Sequence, residues 1–177
     1  EPVRVDLNLT DTQISILVGF AFVIFHALFA VPIGRRVDAG LRRTVVATGV
    51  AVWSLATAAC GLANSFFGLF LGRVGVGVGE AALGPAASSM IADLFPPNRR
   101  GFPVAVYITG GAIGAGAASI IAAIVFDFFD GYGEIILPLI GLAKPWQIVF
   151  FIVGLPGLLV AGLALLMREP ERHDTQA

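Results

Sequence analysis

Residues Phe66–Phe95, FFGLFLGRVGVGVGEAALGPAASSMIADLF, read as a membrane-crossing helix with two charges inside it. About 20 residues rising 1.5 Å each cross the hydrocarbon core of a bilayer, and this run is long enough to do so. At about 100° per residue, Arg73, Gly77, Glu80 and Gly84 fall in a stripe about 60° wide, with Arg73 and Glu80 about 10 Å apart along the axis. Gly75, Gly79, Ala82 and Ala86 form a second stripe on the far side, where small side chains admit another helix. An ionised group facing lipid costs several kcal/mol, so such charges turn toward a bundle interior or a wet cavity. Either Arg73 and Glu80 pair with charges on other helices and hold the bundle together, or they form a substrate or ion site.

The composition extends this reading to the whole chain. Hydrophobic residues make up 57% and charged residues 13%, and the mean hydropathy is +0.89, which excludes an ordinary soluble domain with its roughly 25% charged residues. The sequence predicts an all-α polytopic membrane protein with spans over 11–33, 44–63, 66–95, 102–128 and 146–167. Thr10 and Gln13 have the spacing of a capping box and start the first span. PIGRRVDAGLRR, Pro32 to Arg43, reads as a loop, and PPNRRG, Pro96 to Gly101, as a break. In the fourth span Gly110 and Gly114 make a GxxxG packing surface, with Tyr107 on the same side as Gly114. Residues 129–145 are too short and too broken by proline to span, and suit the interface. Trp146 suits the interfacial belt, and Gly154, Pro156 and Gly157 invite a kink. The tail from Arg168 is charged and expected to fray, with 171–177 a cytoplasmic tail or the start of a linker after a unit covering 1–170.

The basic residues sort to two sides. Arg35, Arg36, Arg42, Arg43, Arg99, Arg100, Arg168 and Arg172 fall together, against Arg4 and Lys144 on the other side. The positive-inside rule then puts the N-terminus outside and the C-terminus in the cytoplasm, in a bacterial inner membrane. Five spans with an outside start suggest a fragment that lacks at least one preceding helix. The lone Cys60 reads as packing, and two distant histidines offer no metal-ligand spacing. His26, inside the first span, is either hydrogen-bonded in the bundle or a proton carrier.

Two motifs carry a family resemblance. Gly34, Asp38, Arg42 and Arg43 resemble the signature between helices 2 and 3 of the major facilitator superfamily. Arg73 before the ladder Gly77, Gly79, Glu80, Ala81 resembles that superfamily's helix 4. The resemblance implies helices 2 to 6 of a twelve-helix transporter, within the N-terminal six-helix bundle, with the first helix and the C-terminal half as the missing partners. Ala39 and Leu41 depart from the loop pattern, and Gly110 to Gly116 lacks the proline of the antiporter signature. GEA at Glu80 with IADLFPPNRRG from Ile91 is most similar to the Spinster family of lysolipid and sphingoid-phosphate transporters, whose bacterial members look proton-coupled. By that resemblance Arg73 and Glu80 line the central cavity. Asp38, Arg42 and Asp93 would make a cytoplasmic gate, set against a solvated network worth at most about 1 kcal/mol.

The chemistry follows from those charges. In a dry cavity desolvation favours the neutral acid at Glu80 by up to roughly 4 to 7 kcal/mol, whereas Arg73 about 10 Å away favours the anion by only about 1.7 kcal/mol. Hydration therefore controls the proton. Arg73 suits a lipid phosphate, and the apolar wall with Tyr107 suits an acyl chain. The expected partners are membrane lipids, a lipid-like substrate and protons, with no cofactor, no metal and no nucleic acid. Alternatives are a superfamily transporter of small organic anions or drugs, and a structural membrane module or channel. No GxSxG turn or HExxH helix supports an intramembrane enzyme.

Overall fold

A computed structural model of the chain describes residues 2–129, 135–137 and 141–172. A short helix α1, Pro2–Asp6, leads into the first span. Thr10 caps α2, Asp11–Ser15, by the expected reciprocal bonds: Thr10 Oγ1 accepts from the Gln13 amide at 3.2 Å, and Gln13 Oε1 accepts from the Thr10 amide at 2.9 Å. A widened π turn over Ile16–Phe20 carries the helix without interruption into α3, Ala21–Ala39. α4 spans Arg42–Cys60, and the central span divides into α5, Phe66–Glu80, and α6, Leu83–Leu94. α7 spans Gly101–Phe128, and the last span divides into α8, Pro145–Gly154, and α9, Pro156–Leu166. Among the described residues five helices are therefore long and apolar enough to cross a bilayer: Asp11–Ala39, Arg42–Cys60, Phe66–Leu94, Gly101–Phe128 and Pro145–Leu166.

The boundaries differ from expectation in instructive places. α3 runs through Pro32 to Ala39, so Gly34, Arg35, Arg36 and Asp38 sit on a helix and not in a loop. Pro32 costs one backbone bond, but Val37, 1% exposed, packs its far side into the core. Arg42 and Arg43 open α4, leaving only Gly40 and Leu41 between the helices. The segment expected at the interface contains an antiparallel ladder, Ile135–Leu137 against Gly141–Ala143, with Ile136 opposite Leu142. Expectations for 130–134, 138–140 and 173–177 lie outside the described residues.

α4 is the hub of the packing, because glycines on its neighbours let backbone meet backbone. A Cβ on Gly79 would lie 2.5 Å from the Trp53 amide nitrogen and 2.7 Å from the Gly49 carbonyl, and one on Gly75 would lie 2.8 Å from the Ala56 Cβ. From the other side, a Cβ on Gly154 would lie 2.8 Å from the Ala58 amide, and one on Gly157 would strike Ser54 Oγ. Gly72 likewise abuts the Sγ of Cys60, which is 1% exposed.

Two ties fix the last span at its ends. At the end away from the arginines, Asp6 takes hydrogen bonds from Lys144 Nζ and, at 3.0 Å, from Trp146 Nε1. Trp146 is 4% exposed and packs with Leu9, Leu17, Cys60, Ala63 and Leu69, so its indole is turned into the bundle. The opposite tie involves Glu169 and belongs to the site.

Candidate functional site

Ser65 caps α5, its Oγ accepting from the Gly68 amide at 3.2 Å. The helix then runs unbroken past Arg73 to Glu80, where Ala81 and Ala82 form a turn before α6. Pro85 explains the turn: it has no amide hydrogen, and its ring crowds the carbonyl four residues back, that of Ala81. Glu80 is thus the last residue of a helix, not the middle of one. The sequence held this signal in Pro85, and a reading by hydropathy alone passes over it.

The stripe of Arg73, Gly77, Glu80 and Gly84 is not one open face. Gly77 is buried against α3, where its Cβ would lie 2.7 Å from the Phe22 carbonyl and 3.3 Å from the His26 amide. Arg73 and Glu80 emerge along the axis on either side of that contact. Arg73 is half-buried, within electrostatic reach of the Cys60 thiol, and lines a cavity of about 200 Å³ with Arg4, Ile14, Leu17, Leu69 and Phe150. Glu80 is exposed and lies within electrostatic reach of the Tyr107 hydroxyl on α7. Neither makes an ion pair with a described residue. His26 sits level with Gly77, between the two charges. Its ring centroid is 5.5 Å from that of Phe22, and its Nδ1 is buried without a hydrogen-bond partner among the described residues.

The four packing glycines divide. Gly75 and Gly79 press on α4. Gly110 and Gly114 meet nothing within 4 Å, so among the described residues they pack no helix: along α7 only Val125 is buried, close to its end.

At the Arg-rich end the predicted gate residues come together only in part. Arg42 is 0% exposed. Its guanidinium pairs with Asp93 and with Glu169 Oε1 at 2.9 Å, and donates to Ser89 Oγ at 3.1 Å and to the Pro170 carbonyl at 2.6 Å. Glu169 also accepts from the main-chain amides of Arg42 and Arg43 at 3.1 and 2.9 Å, so it caps the first turn of α4. Burial pushes its carboxyl up. The bonds from the Arg43 amide and from Arg42, with the Arg42 charge, outweigh that and hold it below the usual carboxylate value.

Asp38 stays out of the cluster. Its carboxylate is exposed and unpaired among the described residues, and only its carbonyl is engaged, by Arg172. Arg172 also donates to the carbonyls of Val37 and Gly40 at 2.6 and 2.5 Å. Gly34 has nothing within 4 Å, and Arg43 donates to the Met167 carbonyl at 3.3 Å. The segment after α9, expected to fray, is therefore tied to both α3 and α4. The signal for it was Glu169 and Arg172 lying just beyond a span whose partners at that end are arginines and exposed helix-terminal carbonyls.

This arrangement of five spans, with a buried arginine locking the third to the fifth, matches a known family along the whole chain: the model of the Major Facilitator Superfamily covers residues 2–177. The chain belongs to the major facilitator superfamily. Among members, it is 35% identical over 167 residues to an MFS-type efflux pump of Mycolicibacterium smegmatis, covering 94% of this chain and 35% of that protein. It is 27% identical over 176 residues to a probable L-galactonate transporter of Escherichia coli, covering 99% of this chain and 35% of that protein. A bacterial homolog of the human lysosomal transporter Spinster, in an inward-facing and occupied conformation, superposes with a TM-score of 0.76 at 34% identity, over 99% of this chain and 40% of that one. The Spinster resemblance is thus seen in fold and in sequence, and the chain spans well under half the length of these superfamily relatives.

Proposed function

We propose that this chain is helices 2 to 6 of a secondary transporter that carries amphipathic lipids of the lysophospholipid or sphingoid-phosphate type, coupled to protons by alternating access. The first helix and the C-terminal half of the same transporter complete it, with the Arg-rich end in the cytoplasm. The observation that carries the reading is the pair Arg73 and Glu80, two opposite charges in one apolar span with no ion-pair partner among the described residues. Unpaired charges at that depth are stable only beside water or substrate.

Arg73 holds the phosphate of the headgroup, since a guanidinium presents a fork of donors and stays charged. Glu80 takes a proton where the cavity dries and releases it where the cavity floods. Tyr107 and His26 line the same path, His26 with an unused nitrogen. The Arg42–Asp93–Glu169 cluster closes the cytoplasmic end. The test is uptake by the complete transporter in liposomes at several pH values. Glu80→Gln is expected to remove the pH dependence while the melting temperature holds, and a pH profile like the wild type's would overturn the proton role.

A second reading, a carrier of small organic anions, is favoured by the similarity to the probable L-galactonate transporter, because Arg73 suits a carboxylate as well as a phosphate. Competition of uptake by lysolipids against sugar acids separates the two.

A further inference from the structure

We propose that a groove between α3, α4 and the α5–α6 turn holds an anionic phospholipid of the cytoplasmic leaflet, its phosphate on Arg36 and one acyl chain along α4. The groove has a volume of about 290 Å³ and opens at Arg36 and Thr44. It continues past Thr48 to Val52, with Ile33 and Val78 as apolar walls. From Thr44 to Val52 it covers about 12 Å of helix, close to the roughly 15 Å of hydrocarbon in one leaflet. The floor is the crossing at which Gly49 and Gly79 bring two backbones together, a Cβ on Gly49 falling 2.5 Å from that of Ala82. Absent side chains at the crossing leave a trough between the flanking valines.

Charge selects the occupant. The Arg36 side chain is exposed and makes no hydrogen bond or ion pair with a described residue; Arg35, Arg99 and Arg168 are likewise unengaged but do not line the groove, whereas Arg42, Arg43, Arg100 and Arg172 are engaged by protein oxygens. A guanidinium offers donors and no acceptor, so the mouth fits a phosphate diester. The walls fit hydrocarbon, and a soluble anion would leave them bare. A basic pocket between spans on the cytoplasmic side is where anionic headgroups are held. This groove lies against α4, on the other side of the central helix from the Gly77 contact with α3, and it stands whether or not Arg73 and Glu80 move a lipid. Because it touches Gly79 and Ala82, its occupant braces the turn that follows Glu80.

The test is native mass spectrometry of the complete transporter titrated with phosphatidylglycerol or phosphatidylcholine. Wild type is expected to retain phosphatidylglycerol in preference. Arg36→Gln should weaken that retention about fivefold, Thr48→Trp should block the trough for both lipids, and Arg99→Gln, outside the groove, should change nothing. Should Thr48→Trp fail to fold, Val52→Phe replaces it, judged by an unchanged melting temperature. Equal retention by Arg36→Gln and wild type, or a cross-link from Thr48→Cys to another part of the transporter, overturns the proposal.

Discussion

α4 and α7 are both apolar spans, yet they sit in opposite surroundings. α4 buries seven residues including Arg42, Ser54 and two alanines, and is gripped by α5, α6, α8 and α9, while α7 buries Val125 alone. Both are apolar enough to cross a bilayer, and lipid and protein interior are both apolar solvents, so that criterion does not say which span is covered. Small and polar residues do: where α4 is covered, its neighbours present glycine, and its one deep charge is saturated with partners. The bare face of α7, with Gly110 and Gly114, has the same small-residue spacing and no neighbour among the described residues, which is the surface that the proposed function assigns to helices from the rest of a transporter.

The largest effect should come from the buried charge of α4. Arg42→Ala leaves Asp93 and Glu169 facing each other, and removing one partner of a buried pair costs about 3–5 kcal/mol. Because the Asp93 and Glu169 side chains keep 14% and 20% exposure, the lower end is expected. It would be read as a fall in melting temperature of the complete transporter, and a stable Arg42→Ala protein would mean that α4 is not the hub.

The same substitution on the two helices sharpens the contrast. Gly79→Leu must displace the Trp53 and Gly49 backbones and should cost about 1–3 kcal/mol. Gly110→Leu meets nothing here and should cost about 1 kcal/mol or less if a helix elsewhere in the transporter covers α7 with room to adjust. A stability gain instead would leave α7 facing lipid.

The smallest effect is the pH dependence of the Glu169 tie. Its folded value lies below the ordinary 4.5, so its stabilisation is complete above about pH 4.5 and lost as pH falls through the folded value. The melting-temperature gap between wild type and Glu169→Gln should therefore close on acidification, from on the order of 1 kcal/mol. A gap independent of pH would mean that the carboxylate charge contributes nothing.

Much of this architecture was legible in the residues. Capping at Thr10, the glycine face toward α4 and the span count follow from local chemistry, and all five span starts fall within two residues of those expected. Apart from the turn before Pro85, whose signal is local, the failures share one cause: each depends on a contact distant in sequence. Val37 draws α3 through Pro32, Asp6 holds the Trp146 indole inside the bundle, and Glu169, 127 positions from Arg42, turns an expected loose tail into a cap. At the site, the two charges were recognised, but Gly77 between them is buried against α3, so the stripe they share is not one open face.

Cys60 has a practical consequence for anyone wishing to watch this chain move. Enclosed where the end of α4 meets Gly72 of α5, its thiol is shielded from water-borne maleimides. Reporter cysteines introduced at Glu80 or Arg36 can therefore be labelled over a native background that is already silent in this chain.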